Sequence, residues 1–151
     1  MLSFNSYGEW TKVSANSYDD MYYIDLERIK INDGYVYWQD LGDFNKPYED
    51  EWGRWEGAMK SSITYVQGDC KNNRAKELNF NFYKEQMGEE FLNTLTPDDK
   101  WDYFSSTSVG EQLLDISCRL MKAFEGISAD QHQKIIEEFK VEIELERKKR
   151  E

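Results

Sequence analysis

The chain has 151 residues and a formal net charge of −11, from 30 acidic and 19 basic side chains. A chain of this length is most simply one domain, large enough to bury a single core without needing a disulfide. Phosphate backbones are bound by clustered Lys and Arg, so the acidic balance argues against a nucleic-acid partner. No apolar run of about 18 residues occurs, and the sequence therefore predicts no transmembrane segment.

The first half of the chain has the pattern of β-strands joined by turns. Asp33-Gly34 lies between two β-rich runs and is a strong hairpin signal, because Gly accepts a positive φ without steric cost. In the last predicted strand Leu78, Phe80 and Phe82 alternate with polar residues, as expected for an antiparallel sheet with one wet face. Strands are predicted at residues 10–14, 21–31, 35–41, 61–70 and 76–84.

The β-rich pattern ends after Met87. Residues 88–101 hold one proline and few β-branched side chains, which predicts a loop or a short helix. Residues 108–124 place apolar side chains at helical spacing, so we expect an amphipathic helix that covers one face of the sheet. Gly126 is a plausible end for this helix. The predicted fold class is α+β, with about five to six antiparallel strands, one covering helix and a C-terminal helix.

A second, C-terminal helix is predicted over residues 128–151, where Ser128 and Gln131 fit a capping box at its start. Its apolar side chains lie along one stripe, and its basic end suits the negative pole of the helix dipole. Three placements are open for this helix: it docks on the domain, pairs with a second copy, or projects as a solvated arm. The sequence divides into one domain at residues 1–126 and a charged helical extension at 127–151.

The sequence offers no constellation of residues for catalysis. His132 is the only histidine, and any Ser-His-Asp or Cys-His arrangement would have to use it from a predicted helix among Ile and Phe. Glycine-rich phosphate loops and metal-type Cys/His spacings are lacking. The acidic residues between Asp40 and Glu51 leave weak calcium binding as a minor alternative, but they do not follow the spacing of an EF-hand loop. We therefore expect no catalytic residue, metal or cofactor.

Residues 44–60 form a long predicted connection that carries two tryptophans. Connections of this length are often functional, or else are self-packed Ω-loops. Trp52, Arg54 and Trp55 are the residue types enriched at interface hot spots, and they are the candidate protein-binding residues. The alternative is that both rings tuck under the loop and seal the sheet.

Cys70 and Cys118 are the two cysteines of the chain. One lies at the end of a predicted strand and the other on the covering helix, so a bridge from sheet to helix is geometrically reasonable. Two reduced, buried thiols are an equal alternative, because Cys packs well as a small hydrophobe.

An ordered set of motifs resembles the surface-adhesin protein E family of small exported bacterial domains. The set consists of "WTKV", "YYIDLERI" followed by "GYVYWQDLGDF", "SSITYVQGDCKNNRAKELNFNFY" and "WDYFSSTSVGEQLLDISC", and it runs from Trp10 to about Cys118. Its most specific parts are Tyr23 and Asp25 before the first hairpin, Trp38 on the return strand, the Asp69-Cys70 pair, and the helix from Ser108 to Cys118.

The resemblance implies an antiparallel sheet with a helix packed across it and a disulfide between Cys70 and Cys118. It also implies a non-enzymatic role outside the cytoplasm, since the family's named member is an adhesin that binds host extracellular-matrix and serum proteins. We therefore expect an exported binding or structural module with an unidentified protein partner. Its expected location is the periplasm, the cell surface or the medium.

Two further expectations concern the compartment and the assembly of the chain. The first ten residues lack the basic and apolar regions of a signal peptide. The alternative function is therefore a cytoplasmic protein-binding or regulatory module that uses the Trp52/Trp55 loop. A homodimer through the C-terminal helix or a sheet edge is one open arrangement.

Overall fold

The computed structural model describes residues 9–49 and 58–150, which form an antiparallel sheet covered by two helices. The α+β class predicted from the sequence is confirmed. The elements are β1 (Thr11–Ala15), β2 (Met21–Ile24), β3 (Lys30–Asn32), β4 (Tyr35–Glu49), β5 (Ala58–Asp69), β6 (Arg74–Tyr83), β7 (Phe91–Leu95), α1 (Val109–Phe124) and α2 (Ala129–Arg150).

The sheet is an antiparallel meander in which most neighbouring strands follow one another in the chain. Its order is β1-β2-β4-β5-β6-β7, and β3 pairs with β4. The predicted strand at residues 21–31 is interrupted by a 3₁₀ turn at Leu26–Arg28. Asp25 causes this interruption by capping the turn, since its carboxylate accepts the Glu27 N–H at 3.2 Å.

The predicted hairpin at Asp33-Gly34 is confirmed. Asp33 and Gly34 both have positive φ, 51° and 83°, and Asn32 pairs with Tyr35 across the turn. Two residues of positive φ match the right-handed twist of the flanking strands.

The predicted connection at residues 44–60 is shorter than its sequence indicates. Strand β4 continues to Glu49 and β5 begins at Ala58, with these two residues paired. The register shifts between Asp43 and Tyr48, and this irregularity accommodates Pro47, which has no N–H for a regular ladder.

The predicted alternation in β6 is wrong at one end because the strand contains a bulge. Tyr65 pairs with Asn79 and Val66 with Glu77, so Leu78 has no partner on β5. Glu77 therefore shares a face with Phe80, which pairs with Thr64 two positions before Val66. A carboxyl group takes a place on the inner face that simple alternation assigns to Leu78.

Residues 91–95 form strand β7, where the sequence pattern predicts a loop or short helix. The strand pairs with β6, with Leu95 opposite Phe80 and Asn93 opposite Phe82. Pairing with the preceding strand overrides the weak local pattern.

The two helices pack on the inner face of the sheet. Ser108 caps α1 by accepting the Glu111 N–H at 3.1 Å, and Gly126 follows the helix with φ 70°, a conformation typical of a helix end. Ile136 and Ile143 place α2 in the same core. That core contains Val13, Ile24, Leu26, Val36, Trp38, Val66, Ala75, Leu113, Leu114, Ile116, Leu120, Phe124, Ile136 and Ile143.

A tight turn at Gln86–Gly88 covers part of the outer face. The Met87 N–H donates to Asp43 at 2.9 Å, and the Gly88 N–H donates to the Ser61 hydroxyl at 2.9 Å. Leu41 is fully buried on this side of the sheet, within contact distance of the turn. Beyond this turn, Gln39, Tyr65 and Asn81 line a concave part of the outer face.

Candidate binding site

An open groove crosses the outer face of the sheet between the 3₁₀ turn and strands β5 and β6. It consists of two adjoining pockets of about 310 and 830 Å³, both lined by Arg28, Gln39, Tyr65 and Asn81. Tyr65 also stacks on Tyr37 of the neighbouring strand, with ring centroids 6.0 Å apart. The groove therefore combines flat aromatic surface with amide donors and acceptors, a combination suited to recognition of a polar chain.

Trp10 and Arg28 line one wall of the groove. The indole Nε1 of Trp10 is buried and has no hydrogen-bond partner among the described residues. Neighbouring atoms cover this nitrogen, so it does not lie on the open surface of the groove. Arg28 on the same wall forms an ion pair of 3.4 Å with Asp25.

Basic side chains gather around Trp101 near the end of the sheet. Arg74 and Lys76 lie 4.2 and 4.7 Å from the centroid of its ring. Both cations also pair with carboxylates, Arg74 with Asp69 at 2.8 Å and Lys76 with Asp99 at 2.7 Å. This cluster is thus internally neutralised, and it fastens residues 99–102 to β6.

A disulfide ties the sheet to α1. Cys70, directly after β5, is bonded to Cys118, and their Cα atoms are 5.7 Å apart. The disulfide implied by the family resemblance is present. A bonded sulfur is neither a nucleophile nor a metal ligand, so this pair has a structural role in the structure described.

A cavity of about 440 Å³ lies on the inner face, between strands β4–β7 and the start of α1. It forms because the helices cover the inner face mainly over β1, β4 and β5, while Phe104 and the first turn of α1 only partly cover β6 and β7. Its aromatic walls are Tyr22, Trp38, Phe44, Phe80, Phe82 and Phe104.

Two carboxyl groups line this cavity, Asp40 and Glu77. Burial raises the pKa of Asp40 to about 7, opposed by the hydrogen bond from Trp38 and increased by the negative charge of Glu77. Burial also raises the pKa of Glu77, and Asp102 adds to this while Lys100 opposes it. The cavity therefore holds two carboxyl groups in apolar surroundings.

The candidate protein-binding residues Trp52, Arg54 and Trp55 lie outside the described residues. The ring of His132 stacks on Phe124 with centroids 3.9 Å apart, and its Nε2 lies 3.3 Å from the Ile127 carbonyl oxygen. Over residues 9–49 and 58–150, no cluster of three His, Cys, Asp or Glu side chains is placed to hold a metal. Within the same ranges neither helix has the length and apolar character of a membrane span.

Sequence reasoning missed both concave sites. Alternation on β4 and β5 was enough to place Gln39 and Tyr65 on one face, but the depth of the groove comes from the 3₁₀ turn and Trp10. The cavity needs the bulge at Leu78, which turns Glu77 inward, and no local signal marks that bulge.

The fold is that of a small domain in which an antiparallel sheet is covered by helices and joined to one of them by a disulfide. The family model for surface-adhesin protein E matches residues 10–119, so the chain belongs to this family. No curated protein matches the chain.

Solved structures of protein E from Haemophilus influenzae have a similar fold. One has a TM-score of 0.55 and 18% identity, covering 78% of this chain and 87% of that chain. Another, from a non-typeable strain, has a TM-score of 0.56 and 16% identity, covering 91% of this chain and 95% of that chain. At these identities the likeness concerns the fold alone.

Proposed function

We propose that this chain is an exported, non-enzymatic binding module that holds a protein partner in the outer groove. Membership of the surface-adhesin protein E family supports the binding role. The observation that carries the choice of surface is the open groove, where Tyr65 and Tyr37 stack beside the amides of Gln39 and Asn81.

The chemistry of the groove favours a polypeptide partner. Tyrosine provides rigid contact area at low entropic cost, and amide side chains both donate and accept hydrogen bonds, as a peptide backbone does. A chain laid across the groove can satisfy these groups without a large change in the sheet.

Export is supported by the disulfide between Cys70 and Cys118. Disulfides persist in the periplasm, on cell surfaces and in secreted proteins, whereas cytosolic thiols are kept reduced. The proposed location is therefore the periplasm, the cell surface or the medium.

Trp52, Arg54 and Trp55 are proposed as a second contact surface for the same partner. They lie in the chain between Glu49 and Ala58, which pair with each other. The residue types remain those of an interface hot spot. Replacing both tryptophans with alanine distinguishes contact with the partner from packing within the domain. Loss of the partner at unchanged thermal stability would favour contact, whereas unfolding of the variant would favour a structural role.

Site-directed photo-crosslinking in the natural host cells tests the groove. A photoreactive phenylalanine analogue at position 79, on the groove wall, is expected to yield a discrete protein adduct on irradiation of intact cells. Tyr65→Ala in that chain is expected to reduce the adduct about fivefold or more, as the loss of an interface anchor does. Tyr18→Ala, which removes a tyrosine that is 72% exposed and outside the groove, is expected to leave the yield unchanged.

The same analogue at position 138, on the exposed side of α2, is the positional control. Equal adducts from positions 79 and 138, or no effect of Tyr65→Ala, would overturn the groove as the contact surface. The thermal stability of each variant is measured alongside, so that loss of the adduct by unfolding is recognised.

A further inference from the structure

The inner cavity has the composition of a site for a small charged molecule. Its volume of about 440 Å³ is within the range of small-molecule pockets. Six aromatic side chains line it, and aromatic faces attract cations through the negative charge of the π-system. Apart from Tyr22, the ionisable side chains lining it in the described chain are the carboxyl groups of Asp40 and Glu77.

The charges around the cavity are predominantly negative. No Lys or Arg of the described residues lines it. Behind the walls, Asp102 and Lys100 act on Glu77 with opposite sign, and Asp20 acts on Tyr22. A cation entering the cavity thus meets carboxyl groups whose charges no lining base neutralises.

Asp40 retains hydrogen-bonding capacity toward the cavity. Trp38 donates to its Oδ2 at 2.9 Å, and among the described residues this is the one hydrogen bond to the side chain. The other carboxylate oxygen is free to accept from a ligand. Trp38 itself is fully buried in the core, so the pair holds the carboxylate in a fixed position.

We infer that this cavity binds a small organic ammonium ion, with its apolar or aromatic body against the phenylalanines and its positive charge at Asp40 and Glu77. This site lies on the opposite face of the sheet from the groove and does not depend on the proposed protein-binding function. The first turn of α1 also borders the cavity, and helix N-termini favour anions. Ser108 caps that turn and Glu111 places a carboxyl group within it, which together reduce its attraction for an anion.

Three probes of similar size separate these chemistries: phenethylamine, 2-phenylethanol and 3-phenylpropanoate. Each is titrated into the ¹⁵N-labelled chain at pH 8, and binding is followed by amide chemical shifts. We expect phenethylamine to bind at least about tenfold more tightly than the alcohol, which has a neutral hydroxyl in place of the ammonium group. The largest shifts are expected on β4 and β6 around the cavity.

The pH dependence is a second readout on the unaltered protein. Phenethylamine stays protonated between pH 6 and pH 8, as a lysine side chain does. Asp40, with a pKa of about 7, loses most of its charge as the pH falls through this range. The affinity for the amine is therefore expected to fall about tenfold from pH 8 to pH 6, and the affinity for the alcohol to stay constant.

Variants identify the carboxyl group responsible. Asp40→Asn is expected to abolish the preference for the amine over the alcohol, and Glu77→Gln to reduce it in part. Asp130→Asn removes an exposed carboxylate outside the cavity and is expected to change nothing. If Asp40→Asn fails to fold, Glu77→Gln and the pH profile still show whether the carboxyl groups of the cavity attract the amine.

Equal affinities for amine and alcohol, tighter binding of 3-phenylpropanoate, or shifts centred on the outer groove would each overturn the inference. None of these results bears on the groove, whose test is the crosslink at position 79.

Discussion

The indole N–H of Trp38 donates a 2.9 Å hydrogen bond to Asp40, two positions further along the same face of β4. This contact favours the ionised carboxylate, whereas burial favours the neutral form, and burial dominates because the pKa is raised from 3.8 to about 7. The ionisation of Asp40 is thereby coupled to the buried side chain of Trp38.

The stability of the chain is expected to depend on pH through Asp40. Because its folded pKa is raised, the folded state holds a proton that the unfolded chain releases near pH 4. The contribution of Asp40 is fully present below the unfolded pKa and is lost as the pH rises through about 7. A shift of about three pKa units corresponds to a loss on the order of 4 kcal/mol.

Urea unfolding of wild type and Asp40→Asn at pH 4, 5.5 and 8 measures this loss. The variant is expected to gain stability relative to wild type as the pH rises, because asparagine cannot ionise. The lowered pKa of Asp69 affects both proteins equally and cancels in the comparison. Glu77 interacts with Asp40, so the effect of the substitution on Glu77 is included in the difference. A constant difference across this range would contradict the burial of an ionisable Asp40.

Reduction of the disulfide is expected to destabilise the domain by about 4 kcal/mol, the loop-entropy value for this separation. Cys70 and Cys118 are 48 positions apart in the sequence. Urea unfolding with and without reductant measures the effect. Cys70→Ser combined with Cys118→Ser is the control, since the double variant should be less stable and insensitive to reductant. Equal stability of the oxidised and reduced chains would refute the expectation.

Gly68→Ala is expected to destabilise the packing of the inner face by about 1–3 kcal/mol. A Cβ at position 68 would lie 2.7 Å from Cζ3 of Trp38 and 2.9 Å from Cγ1 of Val36, closer than packed atoms tolerate, and 3.1 Å from Cδ1 of Leu114 on α1. Gln67→Ala, at the adjacent half-exposed position of the same strand, is the control and should have a small effect. Unchanged unfolding of Gly68→Ala would mean that Trp38 and Val36 do not pack this closely over Gly68.

The docking of α2 is tested by a pair of substitutions on opposite sides of the helix. Ile143 is 2% exposed and lies in the core, whereas Val141 is 61% exposed. Ile143→Ala is expected to cost about 2–5 kcal/mol, and Val141→Ala less than about 0.5 kcal/mol. Thermal and urea unfolding compare the two. Similar small effects would place α2 off the domain, as a projecting arm or a dimer contact.

Local signals in the sequence were sufficient for some elements of the fold. Asp33-Gly34 specifies its hairpin through positive φ, and Ser108 begins α1 because its hydroxyl caps the first turn. Strand β7 was not predictable in this way, because its stability comes from pairing with β6. The local pattern of this edge strand is weak, and its tertiary context decides its conformation.

The candidate sites were less predictable than the fold. In the sequence, Asp40 is one acidic residue among several. Its raised pKa arises from surroundings that β4, β6 and Phe104 provide, and these come together in the folded chain alone. Glu77 was obscured by the bulge at Leu78, which reverses the expected alternation. The groove depends on the 3₁₀ turn and Trp10, which form its wall beside the sheet.

Export, on which the proposed function depends, is tested most directly by the oxidation state of the cysteines in the natural cells. Free thiols are blocked by alkylation at the moment of harvest, and the tryptic peptides of the protein are analysed by mass spectrometry with and without reductant. We expect the peptide of Cys70 to be linked to that of Cys118 before reduction, and both to be unalkylated. Recovery of both cysteines as alkylated free thiols would contradict an exported module held together by this disulfide.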